Sequence, residues 1–390
     1  MRPQSSPAIA LLAAGLAVAR VVAQIDLAPV EIRVPVAPIV IAGADGNGHL
    51  AYELHVTNFY LNTGTLRLER VDVFTDTGTT PVVSYSAAAL DGRVMHPGAE
   101  PGQRYGRAIE GGRRVIVHIW LTVSPREAAA LRVLKHRLVF LDDKGAEQAV
   151  DGAPIAIETA VPIVLGPPIR GGRWLVHNGP GNHRSPHWGS LLARNGRVTI
   201  PQRFAVDWIG VDETGRAVRG DFQKSNNEDW VGFGAEVIAV ADGVVRDMRD
   251  GVVDHAPLVE PPPPASVTLE AVGGNYVLLE LSPNTFVYYA HLKQDSVVVK
   301  PGQRVVRGQM LGRLGNSGNT NAPHLHFHVG DTGLFNDSEG LPFVLDSFEL
   351  LGEMTAERAI GAEAAQVTPT VAQQSRRREL PLQGMVVRFP

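Results

Sequence analysis

The sequence predicts an all-β protein of two domains, and three observations carry that reading. Short runs of alternating apolar and polar residues recur through the first part of the chain, the pattern of half-buried strands. The 41 glycines and 28 prolines favour turns over long helices. The 390 residues exceed what one hydrophobic core usually serves.

The N-terminus reads as an export signal. Arg2 supplies the positive start, Ala8 to Ala19 is a short apolar run, and small residues around Ala23 offer a cleavage point. The run is too short for a spanning helix of roughly 20 residues. Residues 1–23 are therefore expected to be a signal peptide, with the rest periplasmic or extracellular and no stable membrane insertion.

Residues 26–165 form the first expected domain. Runs such as Leu50-Ala51-Tyr52-Glu53-Leu54-His55-Val56 and Arg114-Val115-Ile116-Val117-His118-Ile119-Trp120-Leu121 alternate with period two. Asp91-Gly92, Glu110-Gly111-Gly112 and Asp142-Asp143-Lys144-Gly145 supply turns. The spacing predicts an antiparallel β-sandwich, immunoglobulin-like or fibronectin-like. Pro125 to Leu134 reads as a helical turn or connector. His55, His96, His118 and His136 are scattered and assemble no catalytic set, so the domain reads as a spacer or binding module.

Leu165-Gly166-Pro167-Pro168-Ile169-Arg170-Gly171-Gly172 is a Pro/Gly boundary, and residues 172–350 form the second expected domain. Asp242-Gly243 reads as a hairpin turn between two strands, and Pro283-Asn284 as another. Glu260 to Pro264 cannot pair centrally and is expected to be an exposed loop. Residues 351–390 read as a partly mobile tail in which Met385-Val386-Val387-Arg388-Phe389 returns as an edge strand.

The chemistry concentrates in Pro323-His324-Leu325-His326-Phe327-His328. On a strand, His324, His326 and His328 share one face while Leu325, Phe327 and Val329 feed the core. Aligned imidazoles on a rigid strand suit a metal. Asp207 lies in the apolar run Phe204-Ala205-Val206-Asp207-Trp208, where a buried carboxylate needs a partner such as an arginine or a cation. There is no cysteine, so a transition metal must take His, Asp or Glu, and disulfides are excluded. A net charge of -4 gives no case for nucleic acid or for electrostatic capture by a membrane.

Tyr289-Ala290-His291-Leu292, Val299-Lys300-Pro301-Gly302, Gly308-Gln309, Gly315-Asn316-Ser317-Gly318-Asn319 and the histidine strand follow one another in an order that resembles the lysostaphin-type, or LytM-like, zinc metallopeptidases. The resemblance runs from about Trp174 to about Asp331. It implies a LytM-like β-sheet groove domain, the duplicated hybrid motif, with one Zn2+ per chain and peptidoglycan or another peptide as substrate. It also implies that His326 is a ligand while His324 and His291 are catalytic. The family usually carries its first zinc histidine four residues before the aspartate; here that position is Arg203, which stays protonated and cannot bind metal. A subset of relatives places the histidine upstream, which makes His183 the expected ligand beside Asp207 and His326. His187 is the second choice and His177 the third. Two rival functions are a non-catalytic LytM-like regulator of cell-wall hydrolases, and a carrier-like or sugar-binding β-module.

Overall fold

The structure is a computed structural model, and it describes residues 26–99, 103–263, 266, 268–361 and 374–390. The expected signal peptide, residues 1–23, lies outside the described residues, as do residues 362–373 of the expected C-terminal tail.

Two sheets build the N-terminal half. One runs in the order Asp26–Leu27, Glu147–Ala156, Val133–Leu141, Leu66–Thr75, Val83–Ser86, and the other in the order Val30–Arg33, Gly48–Asn58, Arg114–Val123, Val94–Met95. Leu50, Tyr52, Leu54 and Val56 of the second sheet meet Leu66, Leu68, Val71, Val73, Leu138 and Phe140 of the first in one buried cluster. The period-two pattern sends these residues to one face. Pro125–Ala130 is a single helical turn, opened by a capping box in which Ser124 and Glu127 satisfy each other's backbone amides.

The alternate face of Gly48–Asn58 is buried as well, against expectation for a half-buried strand. His49, Ala51 and Glu53 lie opposite Thr122, Trp120 and His118 of the neighbouring strand. The second half of the chain packs on this face: Ile41, Ala44 and Ala51 belong to its core cluster.

The C-terminal half is organised by a ten-stranded sheet. Its order is Arg304–Val305, Gly243–Arg249, Asn275–Ser282, Thr285–Leu292, Leu325–Gly330, Val206–Val211, Arg173–His177, Met385–Arg388, Phe348–Glu353, Gln374–Arg376. Every neighbouring pair is antiparallel. Glu236–Ile238 and Met310–Arg313 form a separate pair that contributes Val237 and Leu311 to the same core.

Two local readings are corrected. The strands flanking Asp242-Gly243 do not form a hairpin, because Glu236–Ile238 pairs with Met310–Arg313 while Gly243–Arg249 joins the large sheet. Met385–Arg388 is not an edge strand: it sits between Arg173–His177 and Phe348–Glu353. Phe389 beyond it packs on Trp208, ring centres 5.2 Å apart, so the end of the chain is structural. The hairpin through Pro283-Asn284 is present, joining Asn275–Ser282 to Thr285–Leu292.

Candidate metal centre

Strand Leu325–Gly330 is buried on both faces. Leu325, Phe327 and Val329 point into the core, which turns His326 and His328 to the opposite side. The register then sets the partners. Asp207 lies directly opposite His326 on one side and opposite His177 on the other, while Ala290 flanks His326 from the next strand. Asp207 is 5% exposed, so its charge must be met within the protein.

Three histidines meet it on the same oxygen. His326 Nδ1 is 3.0 Å from Asp207 Oδ1, and the Nε2 atoms of His187 and His324 are each 3.4 Å away. The Asn178 amide donates to Oδ2 at 2.9 Å. Burial alone would raise the Asp207 carboxyl, but His187 and His324 outweigh it and hold it well below the usual range.

His187 comes from an irregular loop that begins at Asn178, a residue in the left-handed region at φ 47°. The Asn178 carbonyl accepts from Ser185 Oγ at 2.7 Å and lies 2.9 Å from His187 Nδ1. That contact fixes the ring plane and directs Nε2 towards Asp207. The potential donor atoms of His187, Asp207 and His326 lie within 4.8 Å of one another.

Of the upstream histidines, the structure brings His187 to the aspartate and leaves His183 away from it. His183 sits by Arg93, Arg184 and the Asp91 backbone, where burial and the two cations push it down to about 4. Its loop turns back at Asn178, so four residues decide which ring faces the site. His177 lies in register with Asp207, yet its Nδ1 is buried without a hydrogen-bond partner and it is not in the donor cluster. Arg203 is committed to Glu53 and Glu339.

His324 and His291 stand beside this cluster, ring centres 4.8 Å apart. His324 Nδ1 faces the Ala322 carbonyl at 2.8 Å, which turns Nε2 inward. Burial would lower its pKa, but Asp207 reverses the direction and raises it. His291 adopts φ 62° and is pinned twice: its amide donates to Gly273 O at 2.8 Å, and Nδ1 faces Ser317 O at 2.8 Å. Burial, reinforced by His324 and His326, pushes His291 well below its ordinary value. The turn beneath it needs glycine, since a Cβ on Gly274 would stand 2.3 Å from the Ser317 backbone.

His328 is buried behind His326. Its Nδ1 is 2.8 Å from His326 Nε2, and its ring stacks on Tyr288 at 4.3 Å and 9°. Period two predicted the shared face; the stacking partner, three strands earlier in sequence, was not legible. The cluster lines an open groove of about 500 Å³, whose rim includes Glu260 and Pro261 of the proline loop and Arg104 of the N-terminal half.

The donor chemistry fits a divalent transition metal. Two imidazoles and one carboxylate converge, no lysine or arginine among the described residues pairs with Asp207, and each ring is oriented through its other nitrogen. His187, Asp207 and His326 could together offer three donor atoms to such an ion beside the open groove.

Residues 229–337 match the family described as "Peptidase family M23". The matched stretch includes His291, His324 and His326, whereas His187 and Asp207 precede it. Among curated proteins, the chain is 41% identical over 56 residues to peptidoglycan DD-endopeptidase ShyA of Vibrio cholerae, covering 14% of this chain and 13% of that one. It is 31% identical over 94 residues to peptidoglycan DD-endopeptidase ShyC of the same organism, covering 24% and 19%. The chain thus matches less than a fifth of the length of either relative. A crystal structure of a zinc containing peptidase from Vibrio cholerae aligns over 78% of this chain and 83% of its own at 18% identity, with a TM-score of 0.25.

Proposed function

We propose that this protein is an exported zinc endopeptidase that hydrolyses peptide cross-links in peptidoglycan. The observation that carries the reading is the convergence of His187, His324 and His326 on one oxygen of buried Asp207 at the floor of an open groove. The M23 domain and the names of the relatives support a peptide bond in the cell wall as the target. The apolar segment at Ala8 to Ala19 supports export.

In this reading His187, Asp207 and His326 hold the metal. When bound, zinc supplies a water of pKa near 7 and polarises the scissile carbonyl. His291, kept neutral with its Nδ1 proton facing Ser317 O, has Nε2 free to accept a proton from the attacking water. His324, with Nδ1 on the Ala322 carbonyl and Nε2 turned inward, is placed to donate to the developing oxyanion or the leaving amine. A non-catalytic regulator would have no use for this pair, and its presence favours catalysis.

The test is elemental analysis of the purified secreted protein together with digestion of cross-linked peptidoglycan. Zinc at about one per chain, with release of cross-linked peptides that the His326→Ala variant does not perform, is expected. Digestion that survives complete metal removal would overturn the reading.

A further inference from the structure

The residue that stands where the usual first zinc histidine would be is not idle. Arg203 is 6% exposed and reaches across to the N-terminal half, where it pairs with Glu53, itself 1% exposed. Its Nε donates to Glu339 Oε1 at 2.7 Å. The same Glu53 oxygen that meets Arg203 accepts the Trp188 indole N–H at 2.7 Å. Burial would raise the Glu53 carboxyl, but Arg203 overrides it and keeps Glu53 below the ordinary carboxylate value.

Trp188 is the residue after His187. Its ring stands edge-on to His118 at 5.2 Å and to Trp120 at 6.1 Å, both on the strand that pairs with Gly48–Asn58. Arg104 donates to the Gly189 carbonyl, and Gly181 lies against the Trp120 ring. Between Asn178 and Ser190 the chain has no helix or strand. Turn hydrogen bonds within the loop and contacts of Gly179 and Pro180 with Gln383 hold its start, while the polar contacts of Trp188 with Glu53 and of Gly189 with Arg104 come from the N-terminal half. A metal ligand must be held to a fraction of an ångström.

We propose that Glu53 is a positioning residue for the metal centre: through the Trp188 indole, the N-terminal sandwich fixes the loop that presents His187. This rests on His187 being a ligand. The buried Glu53–Arg203 pair then has a purpose beyond stability, to which such pairs add little. It replaces a histidine on the metal domain with a clamp that ties the ligand loop to the neighbouring domain.

The experiment is Co2+ titration of the metal-free full-length chain, followed by visible absorption, with melting temperature and circular dichroism recorded on each variant. Trp188→Phe keeps the ring and removes only the N–H. It should bind Co2+ about tenfold more weakly than wild type with its secondary structure intact. Glu53→Ala should do the same, and Glu53→Gln, which retains an acceptor oxygen, should recover most of the affinity. Val73→Ala, in the sandwich core away from the interface, should lower the melting temperature without changing affinity. Wild-type Co2+ affinity in Trp188→Phe would overturn the proposal, as would equal weakening by Val73→Ala. Failure of the wild type to bind any Co2+ would instead bring down the metal centre itself.

Discussion

His187 Nε2 stands 3.4 Å from Asp207 Oδ1, while His183, four residues earlier, lies among Arg93 and Arg184. The two histidines therefore separate cleanly by mutation. His187→Ala should reduce zinc from about one per chain to background in elemental analysis, whereas His183→Ala should keep it. Zinc retained by the first and lost by the second would return the ligand to His183.

His324 and His291 predict a different phenotype. Each ring is anchored by a backbone carbonyl, His324 by Ala322 and His291 by Ser317, so removing either leaves the donors of His187, Asp207 and His326 in place. Zinc should stay in both alanine variants while the rate of cross-link cleavage falls by roughly 10²–10⁴-fold, the span of general acid–base contributions. Loss of metal from His324→Ala would make that residue a ligand.

His328 acts through His326. Were His326 Nδ1 to hold a metal, its Nε2–H would donate to His328 Nδ1, whose ring plane is fixed by stacking on Tyr288. His328→Ala should weaken zinc by about 10- to 100-fold in competition with a chromophoric chelator. His328→Gln, which can accept from Nε2, should recover part of it. Unchanged affinity in the alanine variant would reduce His328 to a packing residue.

Much of this site could be read from sequence because it lies on regular strands. Period two places His326 and His328 together, and the apolar run around Asp207 marks a carboxylate in need of a partner. The choice between His183 and His187 could not be read, since it depends on where an irregular loop turns back, and that is set by the Asn178 carbonyl and the Trp188 ring. The role of Glu53 was hidden for a related reason. A polar residue on an alternating strand reads as solvent-facing, and only the second half of the chain, nearly 150 residues later, turns that face into an interface. Met385–Arg388 read as an edge strand because nothing local announces that Phe348–Glu353 pairs on its outer side.

A fourth prediction concerns the core between the two N-terminal sheets, away from the candidate metal centre. His136 is 1% exposed, with the Tyr52 hydroxyl 2.9 Å from Nε2 and the Ala153 carbonyl 3.0 Å from Nδ1. Those partners suit a neutral ring with its proton on Nδ1, and burial pushes the pKa down to about 4 from the ordinary 6.5. The unfolded chain takes up the proton first as pH falls. Stability is therefore fully present above about pH 6.5 and declines as pH drops towards 4, by an amount on the order of 3 kcal/mol from this residue. Urea unfolding of the metal-free protein at pH 7, 5 and 4 measures it. His136→Gln should be less stable than wild type at pH 7, through a lost hydrogen bond, yet lose less on acidification. Parallel pH curves for the two proteins would show that His136 is not held neutral by the fold.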